Sequence, residues 1–226
     1  MNRAYFVTGT DTGIGKTTVS CALLRAFAAQ GNRVVGMKPV AAGCRREGDV
    51  LVSEDVELLR AASSLELAAE LVNPYAFEPP IAPHIAAEQV GVEMDLARIH
   101  AAFKKLQTQA DIVVVEGVGG FCVPLNSQEN TADMAVMLGL PVILVVGIRL
   151  GCLSHALLTA EAIARRGLLL AGWVANYSQA GEVAVANENI STLQARIEAP
   201  LLGVVGYQEF PDFEKSASLL DLQKLN

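Results

Sequence analysis

Cysteine, aromatic residues and positive charge are all scarce in this 226-residue chain. It has four cysteines, 5% aromatic residues, and 17 Lys and Arg against 24 Asp and Glu, for a formal net charge of −7. The cysteines lie far apart and form no C-x-x-C pair, so neither a zinc ribbon nor a disulfide framework is predicted, and a reducing cytoplasm fits best. Without a basic face, the chain is not expected to bind nucleic acid or an anionic membrane surface. We expect small molecules or proteins as its partners.

Long hydrophobic runs are also missing from the sequence. Glycine, proline or charge interrupts each apolar stretch before it reaches bilayer length, and the amino-terminal segment lacks the pattern of a secretory signal. Hydrophobic residues nevertheless make up 52% of the chain, which excludes disorder and suffices for a buried core. We therefore expect a single cytoplasmic domain over residues 1–226.

Short β-branched segments alternate with amphipathic ones along the chain. This rhythm predicts an α/β fold with a doubly wound, mostly parallel sheet. Residues 112–116 and 142–146 are apolar throughout, as in strands covered by helices on both faces. The six predicted strands are residues 5–8, 34–38, 112–116, 141–147, 170–176 and 201–205.

Helix signals lie between these strands. Start and stop residues predict helices over residues 16–30 and 154–166, and the spacing of apolar residues predicts another over residues 95–109. The proline-rich residues 74–83 are predicted to form a loop that crosses the edge of the sheet.

The most informative segment is the glycine-rich loop after the first predicted strand. It reads Gly-Thr-Asp-Thr-Gly-Ile-Gly-Lys-Thr over residues 9–17 and leads into a helix, where backbone N–H groups face phosphate oxygens. This context predicts a P-loop NTPase type of fold, in which Lys16 reaches the β- and γ-phosphates of ATP and the Thr17 hydroxyl coordinates Mg²⁺. The loop has one residue more than the common G-x-x-x-x-G-K-[ST] pattern. The plainer alternative is a glycine-rich turn with an exposed lysine.

Two carboxylates are candidates to complete a Mg²⁺ site. Glu116 ends an apolar strand, where a doubly wound sheet presents polar groups to its ligand crevice, and the glycine-rich residues 117–120 follow. We expect Glu116 and Lys16 to sit at a solvent-accessible phosphate crevice and not in packing. Asp55 lies near the start of a helix predicted to be capped by Ser53, and its ordinary role there would be to complement the helix dipole.

Lys38 closes the second predicted strand. A lysine at the carboxyl end of an inner strand points into the same crevice as Lys16, which suggests that it stabilises charge in a transition state. The alternative is a solvated strand end.

Five separated motifs stand out along the chain. They are Phe-Val-Thr-Gly-Thr-Asp-Thr (residues 6–12), Lys-Pro-Val (38–40), Val-Glu-Gly-Val-Gly-Gly (115–120), Leu-Val-Val-Gly-Ile-Arg-Leu-Gly-Cys-Leu-Ser-His-Ala-Leu-Leu-Thr (144–159) and Gly-Trp-Val-Ala-Asn (172–176). In this order they resemble dethiobiotin synthetase, from the amino terminus to about Gly203. The extra residue in the phosphate loop is typical of that family.

The resemblance implies an ATP- and Mg²⁺-dependent ligase of biotin biosynthesis. Such an enzyme joins CO₂ to 7,8-diaminononanoate and closes the cyclic urea of dethiobiotin, releasing ADP and phosphate. It implies a carbamate that attacks the γ-phosphate, followed by a carbamic-phosphoric anhydride that the second amine opens. It also implies a homodimer whose diamine site is shared across the interface, with residues 147–159 at that interface.

The resemblance further assigns roles to individual positions, with Asn176 expected to read the adenine edge. It implies that Lys16, Lys38 and Thr12 are catalytic and that Thr17, Asp55 and Glu116 hold Mg²⁺. It implies diamine contacts from Lys38, Ala42, Gly119, Gly120 and Ser154. It implies ATP contacts from Gly13, Ile14, Gly15, Lys16, Thr17, Thr18, Asp55, Glu116, Gly117, Val118, Gly119, Asn176, Tyr177 and Gly206.

The sequence also departs from the family pattern in places. The departures leave the phosphate-binding residues intact but reduce the number of family matches among the diamine contacts. The pattern therefore supports ATP use more strongly than it supports the identity of the diamine. They are Gly13 for a frequent Glu, Ala42 for a Ser, Ser154 for an Asn, Asn189 for an aromatic residue and Gly206 for a Pro.

The main alternative is a partner-regulated switch ATPase of the partitioning or positioning type, which shares the strand, loop and helix unit. Its loop normally carries an additional lysine ahead of the glycines, where this sequence has Asp11. The carboxyl-terminal residues 216–226 also lack the basic amphipathic character of a membrane-targeting helix. An amide-forming synthetase of the corrin-diamide type would need a glutaminase domain, which we do not expect here.

Overall fold

Six parallel strands form the central sheet of the computed structural model, which describes residues 3–181 and 185–225. Their order across the sheet is β10-β9-β8-β1-β7-β2. All six correspond to predicted strands, so the α/β prediction is confirmed. They are β1 (Arg3–Gly9), β2 (Val34–Met37), β7 (Ile112–Glu116), β8 (Val142–Gly147), β9 (Leu170–Asn176) and β10 (Leu201–Val205).

Helices cover both faces of this sheet. Side chains alternate along β1, so that Phe6 joins the core on one face while Tyr5 and Val7 join the core on the other. The helices are α1 (Lys16–Ala29), α2 (Glu54–Ala62), α3 (Ala69–Val72), α4 (Pro83–Gln89), α5 (Leu96–Gln107), α6 (Thr131–Leu138), α7 (Cys152–Arg165), α8 (Ala186–Arg196) and α9 (Phe213–Ser218), with a short 3₁₀ helix at Leu222–Leu225.

The predicted helices lie close to the observed α1, α5 and α7. In α5, Asp95 caps the amino terminus by accepting a hydrogen bond from the Ala97 N–H at 2.7 Å, and the predicted apolar face is buried. The start of α7 lies two residues before the predicted one, because Gly151 has φ 94° and lets the chain turn into the helix there.

Two predictions about local structure are wrong. Within residues 74–83, predicted as a loop, Tyr75–Phe77 forms strand β6, which pairs in parallel with β3 (Val40–Ala42). A three-residue strand is too short to show an alternation of apolar and polar residues in the sequence. It is recognised only by its pairing with a neighbouring strand. Ser53 occupies the N-cap of α2, but its side chain accepts no capping hydrogen bond from the residues that the structure describes. A separate antiparallel hairpin joins β4 (Arg45–Glu47) to β5 (Val50–Val52).

The register of the sheet determines where its loops meet. Val7 of β1 lies opposite Glu116 of β7, and Gly9 lies opposite Val145 of β8. The loops after β1, β7 and β8 therefore leave the same edge side by side. In doubly wound sheets this carboxyl edge, at the point where the strand order reverses, is where ligands bind.

Among residues 3–181 and 185–225, no helix is both long and apolar enough to cross a membrane.

Candidate functional site

The loop between β1 and α1 is built around glycines in left-handed conformations. Gly13 has φ 69° and Gly15 has φ 86°, backbone angles that residues with a side chain rarely adopt. A Cβ on Gly15 would also lie 2.1 Å from Nδ2 of Asn176. Since Gly15 has no side chain to cap α1, the first N–H groups of the helix remain free to bind an anion.

Ile14 contributes only its backbone to this loop. Its side chain is 1% exposed, and a Cβ on Gly9 or Gly147 would lie within 2.8 Å of it. Its carbonyl accepts a hydrogen bond from Nδ2 of Asn176 at 2.7 Å. The N–H of Ile14 is therefore the group that this residue offers to a ligand.

Lys16 begins α1 and reaches back over the loop. Its Nζ donates a hydrogen bond to the backbone carbonyl of Asp11 at 2.8 Å. Burial lowers the pKa of Lys16 to about 8, and repulsion from Lys38 acts in the same direction. Lys16 is only 7% exposed, but it lines a crevice beside the phosphate loop, as predicted.

Four side chains meet beside the loop. The hydroxyl oxygen of Thr17 lies 2.9 Å from Oδ1 of Asp55 and 2.9 Å from Oε1 of Glu116. The Nζ of Lys38 lies 2.6 Å from Oε1 of Glu116 and 2.9 Å from Oδ2 of Asp55. Asp55 is thus tied to the phosphate loop as well as lying in the first turn of α2, where its charge complements the helix dipole.

The charges in this cluster support one another. Burial works against the charge on Lys38, but attraction by Glu116 and Asp55 outweighs it and raises the pKa of Lys38. Burial likewise acts to raise the pKa of Asp55, but Lys38 and the hydrogen bond from Thr17 lower it. Both groups are therefore charged near neutral pH. Glu116 is fully buried and does not line the crevice, so the prediction that it sits at a solvent-accessible crevice is wrong.

The oxygen atoms of this cluster fit a magnesium ion. Thr17, Asp55 and Glu116 offer a hydroxyl and two carboxylates, which are the hard ligands that Mg²⁺ prefers. Oε2 of Glu116 is buried and has no hydrogen-bond partner in the part of the chain that the structure describes. In the same residues there is no group of three His, Cys, Asp or Glu able to hold a metal, so the remaining ligands would have to be phosphate oxygens and water.

A crevice of about 350 Å³ opens from the phosphate loop towards the ends of β9 and β10. Its lining includes many of the residues predicted to bind ATP: Gly13, Gly15, Lys16, Thr17, Thr18, Asp55, Asn176, Tyr177 and Gly206. It also includes residues that were not predicted: Ser178, Tyr207, Gln208 and Pro211. All four follow strands β9 and β10 closely, so the rule that ligands bind at carboxyl edges was a signal that could have found them.

The glycines after β7 lie beside the phosphate loop. A Cβ on Gly119 would lie 3.5 Å from Oγ1 of Thr12, and one on Gly120 would lie 3.7 Å from the Gly9 carbonyl oxygen. The Gly117 N–H donates to the Val7 carbonyl at 2.9 Å, while Val118 packs against the core. Thr12, which is exposed, therefore faces a stretch of backbone that has no bulky side chain.

The structure also places two predicted diamine contacts and one residue that was not predicted. Ala42 ends strand β3, where it pairs with Phe77 of β6. Ser154 is exposed in the first turn of α7, and both residues lie outside the described lining of the crevice. Asn73, which no sequence signal marked, holds the chain at Lys38 by donating from Nδ2 to its carbonyl at 2.6 Å.

P-loop NTPases are defined by three features that this chain shares. These are a central parallel sheet, a loop with glycines in left-handed backbone conformations, and a Lys-Thr pair at the start of the following helix, here α1. Comparisons with known proteins place the chain more narrowly. A family model described as an AAA domain matches residues 3–212. The chain is 54% identical over 225 residues to ATP-dependent dethiobiotin synthetase BioD of Nitrosospira multiformis, covering 100% of this chain and 97% of that protein. It is 56% identical over 220 residues to the protein of the same name from Aromatoleum aromaticum, covering 97% of each.

The chain therefore belongs to the dethiobiotin synthetase family of ATP-dependent ligases, and the resemblance found in the sequence is confirmed. Solved structures of lower identity share its fold. One is the septum site-determining protein MinD of Pyrococcus horikoshii complexed with Mg-ADP, with a TM-score of 0.59 and 18% identity, covering 100% of this chain and 94% of that one. Another is the ParA family ATPase of Chlorobium tepidum, with a TM-score of 0.55 and 10% identity, covering 92% and 85%. At these identities the likeness shows the fold alone.

Proposed function

We propose that this chain acts as one catalytic domain that joins CO₂ to 7,8-diaminononanoate and closes the ring of dethiobiotin. In this reaction CO₂ adds to one amine to form a carbamate, whose oxygen attacks the γ-phosphate of ATP and displaces ADP. The second amine then attacks the carbonyl of the carbamic-phosphoric anhydride, and phosphate leaves as the cyclic urea forms. The family and its name support this reaction.

The observation that carries the proposal is the cluster of Thr17, Lys38, Asp55 and Glu116 against the phosphate loop. Phosphoryl transfer needs alignment and charge neutralisation more than covalent help from the protein. Two lysines at the carboxyl edge of the sheet supply that charge. Lys16 would exchange the Asp11 carbonyl for a phosphate oxygen, and Lys38 would turn from its carboxylates towards the carbamate.

Magnesium would be held by Thr17, Asp55 and Glu116 together with ATP. When bound, the ion would supply positive charge to the phosphate oxygens. Moving Lys38 away from this cluster leaves two negative carboxylates without their cation, so the arrangement favours a cation in its place. The exchange also explains why a buried lysine lies between two proposed metal ligands.

The adenine end of ATP would lie at Asn176 and Tyr177. Nδ2 of Asn176 donates one hydrogen bond to the Ile14 carbonyl, which fixes the amide, and in the described residues its Oδ1 accepts none and is available to a ligand. An acceptor suits the exocyclic amino group of adenine. Tyr207, which lines the same crevice, is 46% exposed and can cover a flat base.

The diamine would lie on the other side of the loop, near Thr12, Lys38 and the backbone of Gly119 and Gly120. We propose that two copies of the chain share this site, with the exposed start of α7, including Ser154, contributed across the interface. Exposed apolar residues around α7 support an association: Leu150 is 100% exposed and Leu158 is 61% exposed. An isologous contact of this kind produces a closed dimer.

The test is ADP release with ATP and Mg²⁺, measured with and without diaminononanoate and bicarbonate. The proposal requires turnover that depends on both, and mass spectrometry should detect dethiobiotin as the product. The Lys16→Ala variant should lose turnover by on the order of 10²- to 10³-fold. ATP hydrolysis that ignores both substrates would instead favour the switch ATPase. Sedimentation at micromolar concentration tests the dimer, and a monomer would contradict it.

A further inference from the structure

The phosphate loop is docked against the segment that follows strand β8. The Thr10 N–H donates to the Val145 carbonyl at 3.0 Å, and the Gly147 N–H donates to Oγ1 of Thr10 at 3.4 Å. A Cβ on Gly147 would lie 2.6 Å from Cγ2 of Ile14, so the two segments already touch. The position of one therefore depends on the position of the other.

Asp11 is the junction between these two segments. Its Oδ1 accepts a hydrogen bond from the Thr12 N–H at 2.7 Å, and its backbone carbonyl accepts one from Nζ of Lys16 at 2.8 Å. Its Oδ2 pairs with the guanidinium of Arg149, which lies between β8 and α7. The hydrogen bond from Thr12, followed by the influence of Arg149, lowers the pKa of Asp11. One residue thus links Arg149 to both a lysine and a threonine of the proposed active site.

Solvent reaches this ion pair in the single chain. The side chains of Arg149 and Asp11 are 43% and 45% exposed. Ion pairs this accessible to solvent contribute little to folding stability, because water screens them and two side chains must be ordered. Their placement beside the phosphate loop matters more. Without Arg149, the Asp11 carboxylate would lose its ion-pair partner beside a site proposed to hold phosphates.

We propose that Arg149 is a positioning residue, which acts through the carboxylate of Asp11 to hold Thr12 and Lys16 in place for phosphoryl transfer. When Lys16 turns from the Asp11 carbonyl to a phosphate, the loop loses one of its internal hydrogen bonds. The pairing with Arg149 and the bond to the Thr12 N–H remain to fix the loop. This inference rests on the proposed function of the loop as a phosphate site.

The experiment compares kcat and KM of the full-length protein with those of Arg149→Gln, Arg149→Lys, Asp11→Asn and the double variant Asp11→Asn/Arg149→Gln. Because small misplacements of catalytic groups are costly, Arg149→Gln should lower kcat about tenfold or more, with an unchanged melting temperature. Arg149→Lys should retain most of kcat, since an ammonium can still pair with the carboxylate. The double variant should be no slower than the slower single variant, because both changes break the same link.

A matched control comes from the opposite edge of the sheet. Arg33 pairs with Asp111 at 2.8 Å, with side chains 58% and 39% exposed, so Arg33→Gln removes a comparable ion pair far from the loop. It should leave kcat unchanged.

Two results would overturn the inference: a wild-type kcat in Arg149→Gln, or losses that multiply in the double variant. Wild-type turnover that depends on the diamine tests the proposed function separately, so the two failures can be told apart.

Discussion

The Nζ of Lys38 lies 2.6 Å from Oε1 of Glu116, and the two side chains are only 4% and 0% exposed. A buried ion pair of this kind carries a large desolvation cost, which close contact and further partners must offset. Asp55 and the Gly117 carbonyl provide those further partners for Lys38, at 2.9 Å and 3.2 Å. A buried cation is therefore held beside the phosphate loop.

Glu116→Gln should impair both activity and stability. The variant removes a proposed Mg²⁺ ligand, so we expect turnover to fall by on the order of 10²- to 10³-fold. It also leaves Lys38 with one carboxylate in place of two, which we expect to cost about 1–3 kcal/mol of unfolding free energy. ADP release and urea denaturation measure the two effects.

Glu214→Gln is the control: it removes a carboxylate that is 73% exposed and 3.5 Å from Arg25, and it should change neither quantity much. Near-normal turnover in Glu116→Gln would contradict the assignment.

Asp55→Asn should raise the Mg²⁺ concentration needed for half-maximal turnover, because an amide oxygen binds the ion more weakly than a carboxylate. Glu54→Gln, in the same first turn of α2, is a matched control that changes the helix dipole interaction alone. Titrating Mg²⁺ against ADP release separates the two roles. If both variants show the wild-type Mg²⁺ dependence and the same small loss of stability, the role of Asp55 is only to complement the dipole of α2.

Ala42→Ser should lower the KM for diaminononanoate several-fold and leave the KM for ATP unchanged. A neutral hydrogen bond contributes about 0.5–1.5 kcal/mol, which corresponds to roughly two- to tenfold in affinity. Steady-state kinetics with each substrate varied in turn measures both constants. An unchanged diamine KM would place Ala42 away from the substrate, or would mean that the natural diamine is a different one.

Part of the acid sensitivity of folding should come from Asp111. Its hydrogen bonds from the Arg33 side chain and backbone lower the pKa of Asp111 to about 2, below its ordinary value of 3.8. Since the folded pKa is the lower one, the stabilisation is complete above about pH 4 and is lost as the pH falls towards 2. The melting temperatures of wild type and Asp111→Asn should therefore converge as the pH is lowered through this window. Glu66→Gln, which removes a carboxylate on a side chain that is 93% exposed, is the control. A constant gap between wild type and Asp111→Asn would refute the prediction.

The sequence by itself determined the strands of the sheet, several of its helices and the phosphate loop. Apolar β-branched runs and glycine stops are local signals, so the strands, the helices α1, α5 and α7, and the phosphate loop could all be placed. The family could also be identified from the sequence, because the order of motifs along the chain does not depend on the fold.

Only the tertiary structure showed which of these side chains pair directly, such as Lys38 with both Asp55 and Glu116. Lys38, Asp55 and Glu116 are far apart in sequence and converge because β2 and β7 are neighbours and α2 packs beside them. The pairing of Asp11 with Arg149 likewise depends on β1 lying next to β8. The burial of Glu116, which was expected to sit at a solvent-accessible crevice, depends on the same packing. Such contacts join distant segments through strand order and loop path, and no local periodicity encodes them.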